Sequence, residues 1–78
     1  MKPHRRTTRN VKFDKLIGER IRNVRESRGM TQLELAIKLR VTWQQVQKYE
    51  NGTNALPSTR VPDLCKGLRL TPNELFDI

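Results

Sequence analysis

Three glutamines and a lysine lie close together in the segment WQQVQKYE, residues 43–50. An amide side chain donates and accepts hydrogen bonds, which lets it pair with the edge of adenine, and a lysine ammonium pairs with guanine. Val46 and Tyr49 are apolar and three residues apart, as on the buried face of a helix. The other face then carries Trp43, Gln44, Gln45, Gln47 and Lys48. Such a helix suits the major groove of DNA, which makes DNA binding the leading hypothesis.

Residues 31–52 predict two short helices joined by a tight turn, the second of which is the glutamine-rich segment. The apolar positions that would pack them together are Leu35, Ala36, Leu39, Val41, Val46 and Tyr49. The small side chain of Ala36 lets the two helices approach closely, and Val41 fills the corner between them. This pattern predicts a helix-turn-helix.

Capping residues predict where the helices begin and end. A threonine followed three residues later by Glu or Gln is typical of a capping box at a helix start. Three pairs have this spacing: Thr31 and Glu34, Thr42 and Gln45, and Thr71 and Glu74, the last with Pro72 at the favoured first helical position. Gly29 and the pair Asn51 and Gly52 predict helix stops.

Two more helices are predicted on either side of this segment. A first helix over residues 13–28 follows from apolar residues at helical spacing, which are Ile17, Ile21 and Val24. A fourth helix is predicted from Ser58, as its N-cap, to about residue 68, although Pro62 would forfeit a backbone hydrogen bond in its first turn. With the short last helix, the sequence predicts an all-α fold of five helices and no strands.

The composition limits the classes of protein to which the chain can belong. Seventy-eight residues allow one small domain. No apolar run is long enough to span a membrane, and the start lacks the apolar stretch of a signal peptide. The single cysteine, Cys65, and the single histidine, His4, predict neither a disulfide nor a metal site. We therefore expect a cytoplasmic protein without a cofactor, with Cys65 as a small core residue.

The net charge of +8 is unevenly distributed. Residues 1–12 carry five basic and no acidic side chains, whereas residues 51–78 carry three of each. Residues 1–12 also lack apolar periodicity, so we interpret them as a flexible basic arm before a domain of residues 13–78. The cations of the arm are Lys2, Arg5, Arg6, Arg9 and Lys12. They act either as a solubilising tail or along the minor groove of DNA beside a helix in the major groove.

The motifs IGERIRNVRESRGMTQLELA, QQVQKYENG and LRLTPNELF occur in this order between residues 16 and 76. In these motifs the chain resembles the Cro/lambda-repressor (XRE-like) family of helix-turn-helix DNA-binding domains. The resemblance implies a compact, lambda-repressor-like fold of five helices, with the helix-turn-helix at helices 2 and 3. It also implies that the domain binds double-stranded DNA as a two-fold homodimer on a palindromic operator.

The resemblance also implies roles for individual residues. The positions that read base edges in relatives are Trp43, Gln44, Gln45 and Lys48. Phosphate or supporting contacts fall on Gln32, Thr42, Gln47 and Asn51, to which the charge of the arm adds Arg5, Arg6 and Arg9. Gln32 would also brace the start of the third helix, the recognition helix. Arg25 and Glu50 match a pair that forms an internal ion pair in some relatives and ties the first helix to the third.

Two positions depart from the family pattern, which usually has glycine where this chain has Arg40 and Arg69. These positions end the second and fourth helices, and a left-handed residue other than glycine costs on the order of 1 kcal/mol. Gly67, inside the fourth helix, weakens that helix by about 1 kcal/mol. We therefore expect modest stability or a slightly altered turn geometry.

Some of these side chains have a simpler alternative role. Gln44 and Gln45 are either DNA contacts or solvated helix residues, and capping would occupy Gln45. Trp43 lies either against a thymine methyl or the sugar-phosphate wall, or against the exposed apolar pair Leu33 and Ile37. In each alternative the side chain has a role within the protein surface and does not contact DNA.

The end of the chain carries more apolar surface than a short helix buries easily. Its apolar residues, which are candidates for a dimer interface, are Leu70, Leu75, Phe76 and Ile78. The alternative is that they pack back onto the first and fourth helices. Arg22 and Arg28 are expected to be ordinary surface charges.

The sequence therefore predicts a sequence-specific transcriptional regulator, expected to be a repressor that blocks polymerase. It does not predict an enzyme, because one His, one Cys and scattered carboxylates supply no nucleophile, base and orienting group. The alternative is an antitoxin or adaptor whose main partner is another protein, either a toxin or the transcription machinery. RNA binding is disfavoured because the chain lacks aromatic platforms for unpaired bases.

Overall fold

Five α-helices make up the part of the chain that the structure, a computed structural model, describes, which is residues 10–78. They are α1 (Val11–Ser27), α2 (Gln32–Leu39), α3 (Trp43–Glu50), α4 (Val61–Leu68) and α5 (Pro72–Leu75), with a 3-10 turn at Ser58–Arg60 before α4. These residues contain no strand. The prediction of an all-α fold with five helices is confirmed.

The core lies where α1, α2, α3 and α4 present their apolar faces to one another, closed at one end by α5. Its buried residues are Ile17, Ile21, Val24, Leu35, Ala36, Leu39, Val46, Tyr49, Leu64, Cys65, Leu68 and Leu75. Val41, in the turn between α2 and α3, packs against this cluster. Burial raises the pKa of the Cys65 thiol, which keeps it protonated and unreactive, as expected of a core cysteine.

The first helix begins at Val11, two residues before the predicted start at Phe13. The side chain of Asn10 caps it by accepting a hydrogen bond of 2.9 Å from the backbone N–H of Phe13. Val11 and Lys12 are therefore helical and do not belong to a flexible arm. The remainder of the predicted arm, residues 1–9, lies outside the described residues.

Two of the three predicted capping boxes are confirmed, at Thr31 with Glu34 and at Thr71 with Glu74. The hydrogen bonds with Thr71 lower the pKa of Glu74, so this box is present above the ordinary pKa of a glutamate and weakens as the pH falls below it. For the third predicted box, only the threonine half is present. Thr42 accepts from the N–H of Gln45 at 3.1 Å, but the Gln45 amide bonds elsewhere.

The predicted start of the fourth helix at Ser58 is also wrong. Residues 58–60 form a 3-10 turn, and α4 begins at Val61 without a side-chain cap. Pro62 explains the shift, because in the first turn of a helix its missing N–H has no intrahelical partner to lose. A helix that began at Ser58 would have lost that hydrogen bond.

Arginines occupy both of the left-handed positions that the family pattern usually gives to glycine. Arg40 ends α2 and Arg69 ends α4, each with a φ of 59°. Gly29 and Gly52, at the ends of α1 and α3, also have positive φ, as expected of glycine stops. Two of the four left-handed positions in residues 10–78 therefore carry a side chain that disfavours this conformation.

Three other arginines donate hydrogen bonds to carbonyl groups near the ends of helices. The Nε of Arg20 donates to Glu74 O at 3.0 Å, the Nε of Arg28 to Leu68 O at 2.9 Å, and the Nη1 of Arg60 to Leu39 O at 3.2 Å. The last carbonyl groups of a helix have no intrahelical partner and carry partial negative charge. Arg28, expected to be an ordinary surface charge, is thus a tertiary contact between α1 and α4.

Candidate nucleic-acid interface

A glycine in α1 allows α3 to lie directly against it. A Cβ atom added at Gly18 would come within 2.3 Å of the carbonyl oxygen of Glu50 and 2.4 Å of that of Tyr49. Any larger residue would overlap with the backbone of α3, which cannot move as a flexible side chain can. The absence of a side chain at Gly18 therefore sets how closely α3 packs against α1.

A buried charge network fixes the orientation of the same helix. Arg25 of α1 donates from Nε to Glu50 Oε2 at 2.6 Å and from Nη2 to Glu50 Oε1 at 3.1 Å. Its Nη1 donates to the carbonyl of Met30 at 2.8 Å, and the amide of Gln32 donates to Glu50 Oε1 at 3.0 Å. The hydrogen bond to Glu50 raises the pKa of Arg25. The network joins α1, α2 and α3 through one carboxylate.

The outer face of α3 carries polar side chains that are exposed to solvent. Val46, Tyr49 and Glu50 point inward and are buried. Gln44, Gln47 and Lys48 are exposed, and the structure gives their side chains no hydrogen bond or ion pair within residues 10–78. Amides and an ammonium held on a rigid helix without internal partners are available to a ligand.

Gln45 differs from the other glutamines of α3. It is half-buried, and its Nε2 donates to Asn54 Oδ1 at 3.2 Å in the loop after the helix. One of its donors is therefore engaged, and its side chain is directed along the helix flank by a residue nine positions later. The predicted capping role of Gln45 is replaced by this contact with the loop.

Trp43 stands at the start of α3 with 43% of its surface exposed. Leu33 and Ile37 of α2 are 56% and 69% exposed. Trp43, Leu33 and Ile37 therefore all leave apolar surface in solvent, and the two roles considered for Trp43, against DNA or against this pair, stay predictions.

The predicted supporting residues have partly internal roles. Gln32 bonds to Glu50, and the Thr42 hydroxyl caps α3. The Oδ1 of Asn51 accepts from the backbone N–H of Thr53 at 2.9 Å and also from the Thr53 hydroxyl, which shapes the loop after α3. Arg5, Arg6 and Arg9 lie outside the described residues.

A family model for the helix-turn-helix domain matches residues 16–76 of this sequence. The chain belongs to this helix-turn-helix family. The predicted helix-turn-helix domain is thereby confirmed, and α2 and α3 are its two signature helices. The family was predicted from the order of three motifs, and the match spans the same part of the chain.

Known proteins similar to this helix-turn-helix domain are bacterial regulators. A protein of Sinorhizobium fredii named an uncharacterized HTH-type transcriptional regulator, y4wC, is 41% identical over 64 residues, which are 82% of this chain and 45% of that protein. A transcriptional regulator in the ATPase CF(0) region of Rhodospirillum rubrum is 35% identical, over 81% of this chain and 58% of its own length. The chain spans about half the length of the curated relatives it matches.

Solved structures agree on the fold. The restriction-modification controller protein C.AhdI of Aeromonas hydrophila superimposes with a TM-score of 0.81 at 25% identity, covering 88% of this chain and all of that one. The clp gene regulator ClgR of C. glutamicum gives a TM-score of 0.77 at 24% identity, over 81% and 82% of the two chains, and shows the fold alone.

The candidates for a dimer interface divide into two groups. Leu75 is completely buried, so its inclusion was wrong, and Leu70 is half-buried against the core. Phe76 and Ile78 remain exposed. Phe76 stacks on Phe13 of α1, with ring centroids 6.4 Å apart and an interplanar angle of 13°, and Phe13 is itself exposed. Sequence reasoning missed Phe13, which the fold brings beside the C-terminal residues of this helix-turn-helix domain.

Residues 10–78 contain neither a candidate metal site nor a helix that could span a membrane. No group of three or more His, Cys, Asp or Glu side chains within residues 10–78 is placed to hold a metal ion. None of the described helices is both long and apolar enough to cross a membrane.

Proposed function

We propose that the protein is a sequence-specific DNA-binding transcriptional regulator whose helix α3 enters the major groove. The observation that supports this most strongly is the outer face of α3, where Gln44, Gln47 and Lys48 are exposed without partners in residues 10–78 on a helix held by Gly18 and Glu50. Recognition requires groups that are free to pair with bases and are already fixed in direction.

The mechanism consists of binding without covalent chemistry. Gln44 and Lys48 read base edges, and Trp43 lies against a thymine methyl or the sugar wall. Gln45 reads bases with the part of its amide that Asn54 leaves available. Gln32, Thr42, Gln47 and Asn51 contact phosphates or support these contacts, and the arginines of residues 1–9 add attraction to the backbone.

The proposed active form is a homodimer on a palindromic operator. The exposed residues Phe13, Phe76 and Ile78 supply the apolar surface for a second copy, since the Phe13–Phe76 stack places them together. A two-fold dimer sets two α3 helices in successive major grooves, about 34 Å apart. Occupancy of the operator then blocks polymerase, as in a repressor.

Replacement of Gln44 by alanine is expected to relax sequence preference and leave non-specific binding nearly intact. A bidentate amide–adenine pair contributes about 1–3 kcal/mol of discrimination, which is roughly 5- to 150-fold in the ratio of affinities for operator and random DNA. Fluorescence anisotropy with both duplexes at the same salt concentration measures this ratio. Asn23→Ala on the exposed surface of α1 is the matched control. Equal loss on both duplexes would contradict a base-reading role.

Deletion of residues 1–9 is expected to weaken binding to all sequences and to flatten its salt dependence. The deletion removes four basic side chains and leaves the Asn10 cap of α1 in place. Each phosphate contact contributes about 0.9 to the slope of log K against log salt, so the slope should fall by up to about 3–4. The measurement is a salt series on operator and random duplexes. An unchanged slope would mean that the arm stays in solvent.

A second candidate function is a module whose main partner is another protein, a toxin or the transcription machinery. The observation that favours it is the exposed apolar pair Leu33 and Ile37 on α2. Leu33→Ser with Ile37→Ser should leave binding to isolated DNA unchanged under the first proposal. Loss of regulation in cells by this variant, with DNA binding retained, would support the protein partner.

A further inference from the structure

A second basic surface lies outside the recognition helix, in a cleft between the C-terminal ends of α2 and α4. The cleft has a volume of about 440 Å³, and we call it the α2–α4 cleft. Its lining residues are Met30, Lys38, Arg40, Asp63, Lys66, Gly67 and Arg69. No residue of α3 contributes to this lining, so the cleft is built separately from the DNA-reading face.

The α2–α4 cleft carries an excess of positive charge. Four of its side chains are cations, namely Lys38, Arg40, Lys66 and Arg69, against the single carboxylate of Asp63. Within residues 10–78 none of the four cationic side chains has a hydrogen bond or an ion pair. The ends of α2 and α4 add about half a negative charge each. The net charge of the cleft is therefore about +2. The N–H groups of the four cationic side chains have no acceptor within residues 10–78.

Three of the residues that line this cleft have an unfavourable local conformation or helix propensity. Arg40 and Arg69 are the non-glycine residues with positive φ in residues 10–78. Conversely, Gly67 stands inside α4, where alanine would favour the helix. A Cβ atom on Gly67 would come within 3.2 Å of Lys38 Cδ, so the glycine leaves room for the stem of that lysine. Local strain that persists in a folded domain is characteristic of functional sites.

We propose that the α2–α4 cleft binds a compact polyphosphate anion, such as the diphosphate or triphosphate group of a nucleotide. Guanidinium groups bind phosphate oxygens through two parallel hydrogen bonds, and lysines add mobile point charges. The volume of the cleft falls within the range of small-ligand sites. Its concave shape places four cations around one volume, which suits clustered phosphates better than the extended backbone of a duplex.

The test is a titration of the full 78-residue chain with sodium tripolyphosphate, followed by amide NMR shifts at constant ionic strength. Saturable shifts are expected at Met30, Lys38, Gly67 and Arg69, with α3 unchanged. The double variant Arg40→Gly/Arg69→Gly should unfold at a higher temperature without ligand, because glycine relieves both left-handed residues. The same variant should bind tripolyphosphate at least about tenfold more weakly, since two charge-assisted contacts are lost.

Lys15→Gln/Arg22→Gln on α1 removes the same charge outside the cleft and should bind like the original chain. Equal weakening in this control, shifts that spread over α3 without saturation, or undiminished binding by the glycine variant would each overturn the proposal. A short duplex that shifts the amides of the cleft more strongly than tripolyphosphate would also overturn it, by assigning the cleft to the DNA backbone. Improved stability combined with lost binding separates a ligand site from a structural role.

Discussion

Replacement of Glu50 by alanine is expected to lower the free energy of unfolding by about 3–5 kcal/mol, because it leaves a buried guanidinium without its anion. Arg25 is only 8% exposed and donates two hydrogen bonds to this carboxylate, one of which, at 2.6 Å, is its shortest. The same change removes the acceptor of the Gln32 amide at the start of α2. Urea denaturation, monitored by circular dichroism, measures the loss.

Glu26 offers a matched control for the buried pair. Its carboxylate lies 3.9 Å from the same guanidinium, but its side chain is 61% exposed. Solvent screening limits such a surface pair to about 0–1 kcal/mol, so Glu26→Ala should change stability little. The double variant Arg25→Met/Glu50→Leu should recover most of the loss, since no buried charge remains unpaired. Equal costs for Glu26→Ala and Glu50→Ala would contradict the role assigned to burial.

Replacement of Gly18 by alanine is expected to destabilise the domain by about 3 kcal/mol or more, the upper range for overpacking. The new methyl group would overlap with the carbonyl oxygens of Tyr49 and Glu50, which belong to the backbone of α3. This cost exceeds the roughly 1 kcal/mol by which alanine favours a helix over glycine. Because α3 must move away from α1, DNA binding by folded molecules should fall as well.

Gly67→Ala is the control for this change, since it also places a methyl group inside a helix. There the nearest atom is the Cδ of Lys38 at 3.2 Å, on a flexible side chain that can move. Thermal unfolding should therefore show Gly67→Ala near the original stability or above it, and Gly18→Ala far below it. A Gly18→Ala variant as stable as Gly67→Ala would show that α1 and α3 are not held in close contact.

Interactions between residues close in the chain were predictable from the sequence. The capping boxes at Thr31 and Thr71 depend on partners three residues apart, and both are present. The cap at Asn10 has the same local character and could have been found, because asparagine is a usual N-cap whose side chain accepts from the backbone N–H three residues later. The partners of a local hydrogen bond occur at a fixed separation along the chain, so their residue types at that separation can be recognised in the sequence.

Interactions between distant residues could not be predicted in this way. Arg28 bonds to a carbonyl forty positions later, and the Phe13–Phe76 stack joins the two ends of the domain. The close approach at Gly18 also depends on how α1 and α3 are packed, which no single segment specifies. The resemblance to the family supplied the pair Arg25 and Glu50, whereas periodicity alone supplied only the polar face of α3.

The candidate site, too, was predictable where it depends on local spacing and not where it depends on distant residues. Helical spacing places Gln44 and Lys48 on one outer face, because Val46 and Tyr49 must be buried. The state of Gln45 depends instead on Asn54 in the following loop. Which glutamines have amides free to bind a ligand is therefore decided by tertiary structure, although the helix that carries them was predicted from the sequence.

Selection of bound duplexes from a random pool, at near-physiological salt, tests most directly the claim that α3 reads DNA sequence. We predict a palindromic consensus with half-sites about one helical turn apart, and loss of preference at one position of each half-site with Gln44→Ala. Recovery of duplexes without any consensus would leave only the positive charge as the source of binding. That result would contradict the proposed function and favour a protein partner.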